Sequence, residues 1–92
     1  MSLRVQTIRP EEWVTLKGEK EYQVELTPGD CQLDYDLRAD KEMSVYLGVG
    51  DKVIPLGTGT RVQGRLFVAA LRWLLVKFPS AATVAASVFQ VP

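Results

Sequence analysis

The sequence predicts an all-β fold: one small antiparallel β-sandwich, jelly-roll or Ig-like, of about eight short strands. Three observations carry this. Residues 31–37, CQLDYDL, alternate cleanly, with Cys31, Leu33, Tyr35 and Leu37 on one side of an extended strand and Gln32, Asp34 and Asp36 on the other. The stretch before it, Thr27-Pro28-Gly29-Asp30, has the residues of a tight turn, in which proline presets φ and glycine supplies a positive φ. The same unit, a short strand followed by a punctuator, recurs along most of the chain. Ninety-two residues fit one domain, taken as 1–92.

Taken in order, LRVQTI at 3–8 alternates weakly and forms a first strand, which Pro10 interrupts. Trp13 to Leu16 is β-favouring, and Lys17-Gly18-Glu19-Lys20 reads as a hairpin turn. Tyr22, Val24 and Leu26 then share one face of the next strand. After the strand at 31–37, Arg38-Ala39-Asp40-Lys41-Glu42 reads as a charged loop. Met43, Val45, Leu47 and Val49 line one face of a strand that Gly50-Asp51 ends. Lys52 to Leu56 contains Pro55, which has no N–H, so it belongs at a sheet edge or a bulge. Gly57 to Thr60 reads as a loop, and Val62, Gly64, Leu66 and Val68 are in register on the strand that follows.

Residues 65–78, RLFVAALRWLLVKF, admit two parses. Their leucines and alanines suit a helix, which would be apolar nearly all round and therefore deeply buried. The other parse is two strands meeting near Ala69–Arg72, the second placing Leu74, Val76 and Phe78 inward. The strands are preferred, because a β domain of this size has little room for a buried helix. Pro79-Ser80 turns the chain into a last strand, 81–91, with Val84 and Val88 on one face and Thr83, Ser87 and Phe89 on the other.

Composition excludes several functions. Eleven basic residues balance eleven acidic ones, so no basic field attracts a nucleic-acid backbone. There is no histidine and one cysteine, which rules out an intramolecular disulfide and the usual zinc sites. Cys31 falls on the apolar side of its strand and reads as a small buried hydrophobe. The N-terminus mixes apolar residues with Arg4, Gln6, Arg9 and two glutamates, unlike a signal peptide, so cytoplasmic synthesis is expected. The longest apolar run, Leu66 to Val76, is broken by Arg72 and is shorter than the roughly 20 residues a membrane helix needs.

No residue pattern supports catalysis. Gly57 and Gly59 follow a strand-like VIPL, but Gly64 is misplaced for a dinucleotide loop and no Walker lysine is present. Asp30, Asp34, Asp36, Asp40 and Glu42 cluster in sequence, yet Arg38 and Lys41 sit among them and the spacing misses a calcium loop. The serines have no histidine to act as base. The expectation is a non-enzyme with no cofactor and no metal.

The aromatics remain. Tyr46 falls opposite its strand's apolar set, and Trp73 and Leu75 face away from Leu74, Val76 and Phe78. A strand apolar on both sides is usually covered on both, by its own chain or by another subunit. The expected interface is therefore Trp73, Leu75 and Tyr46, joined by Ala82, Ala86 and Phe89 of the last strand, whose small residues allow close approach. The alternative use of exposed rings is carbohydrate stacking.

The stretches RPEEWVTL, VYLGVGDKVIPLGTGTRVQG, RWLLVKF and SAATVAASVFQV together resemble small β-sandwich modules of phage virions: head-decoration, fibre and tail-associated proteins. The resemblance implies a virion-type subunit of a homo-oligomeric particle whose partners are other protein subunits, with the virion as its destination and no catalytic residues to transfer.

Overall fold

The computed structural model describes residues 3–7, 13–18 and 20–91. They form six strands: β1 (Leu3–Thr7), β2 (Trp13–Gly18), β3 (Glu21–Glu25), β4 (Gly29–Val49), β5 (Lys52–Lys77) and β6 (Ala82–Val91). All belong to one sheet in the order β1-β3-β5-β4-β6-β2. The described residues contain no helix, so 65–78 follows the strand parse. The expected interruption at Pro10, and Glu19 of the expected turn, lie outside the described residues.

The expected eight or so short strands are replaced by six, because two are long: β4 has 21 residues and β5 has 26. A straight strand rises about 3.3 Å per residue, so β4 alone would span roughly 66 Å. The longest extent of the whole molecule is 33 Å. The strand must therefore double back, and the pairing shows that it does. Leu71 pairs with both Gly29 and Val49, the two ends of β4. The sheet is thereby folded over into a nearly closed, barrel-like form.

The bend sits where the sequence reads as loop. β4 and β5 run antiparallel, since partner numbers on β5 fall as those on β4 rise: Cys31↔Val68, Leu37↔Val62, Arg38↔Arg61, then Met43↔Gly59 and Val49↔Lys52. Between Arg38 and Met43 four residues of β4 face a single residue, Thr60, of β5. Such a bulge bends the strand without ending its pairing. Gly59 takes up the distortion with φ +141°, an angle that L side chains rarely adopt.

A second corner lies at Ala70. Up to Val68, β5 pairs along one edge of β4; from Leu71 to Lys77 it pairs with β4's second half along the other, as in Gly48↔Trp73 and Val45↔Val76. Ala70 makes the crossing with φ +56°, the one described non-glycine residue with positive φ. Both of its backbone groups are tied. Its N–H donates to Asp30 Oδ1 at 3.0 Å, and its carbonyl accepts from the Gly50 N–H at 2.9 Å. The 27–30 turn is held from outside, for the Gln90 amide accepts from the Thr27 N–H and donates to the Thr27 carbonyl, both at 2.9 Å.

The core follows the alternation read from sequence. Cys31, Leu33, Tyr35, Leu37, Met43, Val45 and Leu47 are buried along β4, and Leu74, Val76 and Phe78 are buried at the end of β5 and beyond it. Tyr22 meets Phe78 edge to face with ring centroids 6.3 Å apart. No polar or charged residue among those described is buried. Ala82 and Ala86 correct the expected interface. They share the inward side of β6 with Val84 and Val88 and are buried in this chain's own core. Period 2 puts 82, 84, 86 and 88 on one side, so the alanines are core spacers and not contact residues.

Candidate interaction surface

Two outward faces result, one on each half of β4. On the second half, the register sets Tyr46 opposite Leu75 and Gly48 opposite Trp73. Three of the expected interface residues, Tyr46, Trp73 and Leu75, thus meet on one face, all half-buried. Gly48 is necessary there. A Cβ at this position would overlap Cδ2 and Cε2 of the Trp73 indole and lie 2.6 Å from Nε1, so the ring rests on the glycine backbone. Lys77 Nζ sits 5.6 Å from the Tyr46 ring centroid, and the same ammonium is 3.8 Å from Glu21 Oε1. Phe89, the remaining expected interface residue, is not on this face.

Phe89 belongs to the outward side of β4's first half. There Asp34 pairs across to Arg65 on one side and Phe89 on the other, Asp36 to Gln63 and Ser87, and Gln32 to Phe67 and Val91. Ser87 in turn pairs with Trp13 at the start of β2. Period 2 therefore assembles one face from residues far apart in sequence. Its apolar members are unusually open: Phe67 is 75% exposed, Trp13 50% and Val91 40%.

Between these side chains runs a belt of ion pairs. Arg65 Nε reaches Asp34 Oδ1 at 2.6 Å. Arg61 grips Asp36 with two donors, Nε to Oδ1 at 3.3 Å and Nη2 to Oδ2 at 3.2 Å, and Arg38 Nη2 reaches the same Oδ2 at 3.2 Å. Partial burial by itself raises the Asp36 pKa. The hydrogen bonds and charges of Arg61 and Arg38 outweigh it and hold the carboxyl below its ordinary value. Arg38 also stacks over Trp13, its guanidinium carbon 5.1 Å from the ring centroid.

A shallow depression of about 730 Å³ opens on this face, lined by Asp34, Asp36, Gln63, Gly64, Arg65, Ser87 and Phe89, with Tyr35 beneath. Gly64 leaves room for the Tyr35 phenol, since a Cβ there would lie 2.6 Å from its oxygen. Burial pushes the Tyr35 hydroxyl pKa up. The depression holds no histidine or cysteine. No group of three potential metal-ligating side chains converges among the described residues. Its carboxylates are tied to arginines.

The sequence points to Phe89 as an interface residue but not to Phe67, and shows Asp34 and Asp36 only as the polar side of the 31–37 strand. The signal for Phe67 was present: with Val62, Gly64 and Leu66 inward, 61, 63, 65 and 67 must point out. What alternation could not supply was the register that brings Phe67, Phe89 and Trp13 to one side.

No family model matches the chain, and no curated protein matches it. Among the solved structures that share the fold are the following two. The pre-peptidase C-terminal domain of collagenase from Bacillus anthracis superposes with a TM-score of 0.62 at 10% identity, over 96% of this chain and 97% of that one. PliG of Aeromonas hydrophila, a periplasmic inhibitor of g-type lysozyme, superposes with a TM-score of 0.56 at 12% identity, over 95% and 99%. At such identities the likeness speaks for the fold alone.

Proposed function

We propose that the protein is a non-enzymatic interaction module that docks into a larger protein assembly, with other copies of itself among its partners. The fold is read as a sandwich-like, folded-over sheet whose outer surface is its working part. The observation that carries this is the face built by Trp13, Phe67, Phe89 and Val91 around the Asp34–Arg65 and Asp36–Arg61–Arg38 pairs. Exposed aromatics interleaved with arginine are the composition of protein-binding hot spots, and isolated domains seldom leave such a cluster open. One protein of the same fold, PliG, is described as an inhibitor of an enzyme, a role exercised on another protein. A phage virion is the setting that the sequence resemblance implies, and neither structural neighbour is described as a virion protein.

Carbohydrate stacking is the weaker reading. Lys77 lies over Tyr46, Arg38 over Trp13, and Trp73 rests on Gly48, so each ring has a partner on one side.

Multi-angle light scattering of the purified protein tests the proposal. Oligomers should persist through the micromolar range, and Trp13→Ser with Phe89→Ser should weaken them without lowering the melting temperature much, because neither side chain is in the core. A monomer at high micromolar concentration overturns self-assembly. Oligomers indifferent to both substitutions overturn the choice of face.

A further inference from the structure

We propose that the Arg61–Val68 segment of β5 is a pairing edge that joins the sheets of two copies of this chain, antiparallel and centred on Gly64. The proposal rests on the docking reading above and names its partner and its geometry.

This segment pairs with β4 on one side, and no strand of the described residues pairs with it on the other. Gly64 is exposed, so its backbone is open to solvent. A free strand edge is a template for another strand, and proteins usually blunt it with proline, bulges or charge. The preceding part of β5 is blunted in this way by Pro55. From 61 to 68 there is neither proline nor bulge. The two charges, Arg61 and Arg65, lean across the sheet toward Asp36 and Asp34, away from the free edge.

Self-pairing about a two-fold axis allows only registers in which opposed residues point to the same side, so the axis must pass through a residue. An axis at Gln63 sets Arg61 against Arg65, and one at Arg65 sets that arginine against itself. Both oppose like charges. An axis at Gly64 sets Arg61 against Phe67 and Gln63 against Arg65 on the outward side, and Val62 against Leu66 on the inward side. The guanidinium then has an aromatic partner, and Phe67, the most exposed large apolar residue described, is covered twice. An axis at Leu66 also avoids the clash but leaves Arg61 and Val62 unpaired and runs into the corner at Ala70.

Sedimentation equilibrium on the full chain tests this, combined with amide hydrogen exchange. The dimer should slow exchange for about half of the 61–68 amides, those turned away from β4, as concentration rises. Gln63→Lys places a cation opposite Arg65 at two symmetric sites and should weaken the dimer about two- to thirty-fold, while Gln63→Glu should tighten it by a similar factor. Melting temperature serves as the control for folding. A dimer that ignores both charges, or whose 61–68 amides gain no protection, overturns edge pairing. Trp13→Ser with Phe89→Ser should reduce larger oligomers to this dimer; if they break the dimer itself while both Gln63 changes leave it intact, the docking face stands and the edge does not. A monomer at high micromolar concentration removes both.

Discussion

Gly48→Ala gives a sharp test of how the second outward face is built. Gly48 does not occupy the left-handed region, so alanine costs nothing in backbone angle. By itself the change would stabilise the strand by about 0.5–1 kcal/mol, through lower unfolded-chain entropy. The new methyl, however, would stand inside the Trp73 indole. The ring is rigid and half-buried, and moving it forfeits its packing, at about 1–3 kcal/mol for a forced displacement. The net expectation is a loss of up to about 2.5 kcal/mol in urea unfolding at unchanged m, or up to about 20 °C in melting temperature for a domain of this size. In a Trp73→Ala background the clash is gone, and the same glycine change should stabilise. The coupling between the two sites should therefore reach about 1–3 kcal/mol. Circular dichroism follows all four proteins equally well, since removing Trp73 does not affect it. An equal cost for Gly48→Ala in both backgrounds would show that the indole does not rest on this glycine.

Other outcomes follow from the same structure. Ala70→Gly relieves a left-handed residue at the corner of β5 and should stabilise by about 0.5–1 kcal/mol, whereas Asp30→Ala strips the Ala70 N–H of its acceptor and should cost about 1 kcal/mol; chemical denaturation reads both. Acid should weaken the fold through Asp36. Its folded pKa is depressed below 3.8, so its contribution is complete above that value and is lost as pH falls through the lower folded value. Asp36→Asn should accordingly flatten the stability–pH curve below about pH 4, and an unchanged acid limb would remove the arginine pairs from the account.

Much of the inside of this protein is legible in the chain alone. Alternation along 31–37, 43–49 and 73–78 marks the buried side of each segment, because period 2 is a property of the extended backbone and needs no partner. Along 82–88, by contrast, the small size of Ala82 and Ala86 suggests a contact surface where the fold uses them as core. The break near 69–72 shows where buried Leu71 falls out of step with Val68 and Leu74, which share one parity. Continuity was not legible. The charged run at 38–42 and the glycines at 57–59 look like strand ends, yet cross-strand pairing carries both stretches around a bend, so two long strands replace several short ones. The outer surface depended still more on tertiary structure. Tyr46, Trp73 and Leu75 come together, while Phe89 lies with Phe67, Trp13 and the ion pairs on the other half of the sheet. A residue's facing is set by its own strand, but its neighbours are set by register and strand order, and those exist only once the sheet has folded over on itself.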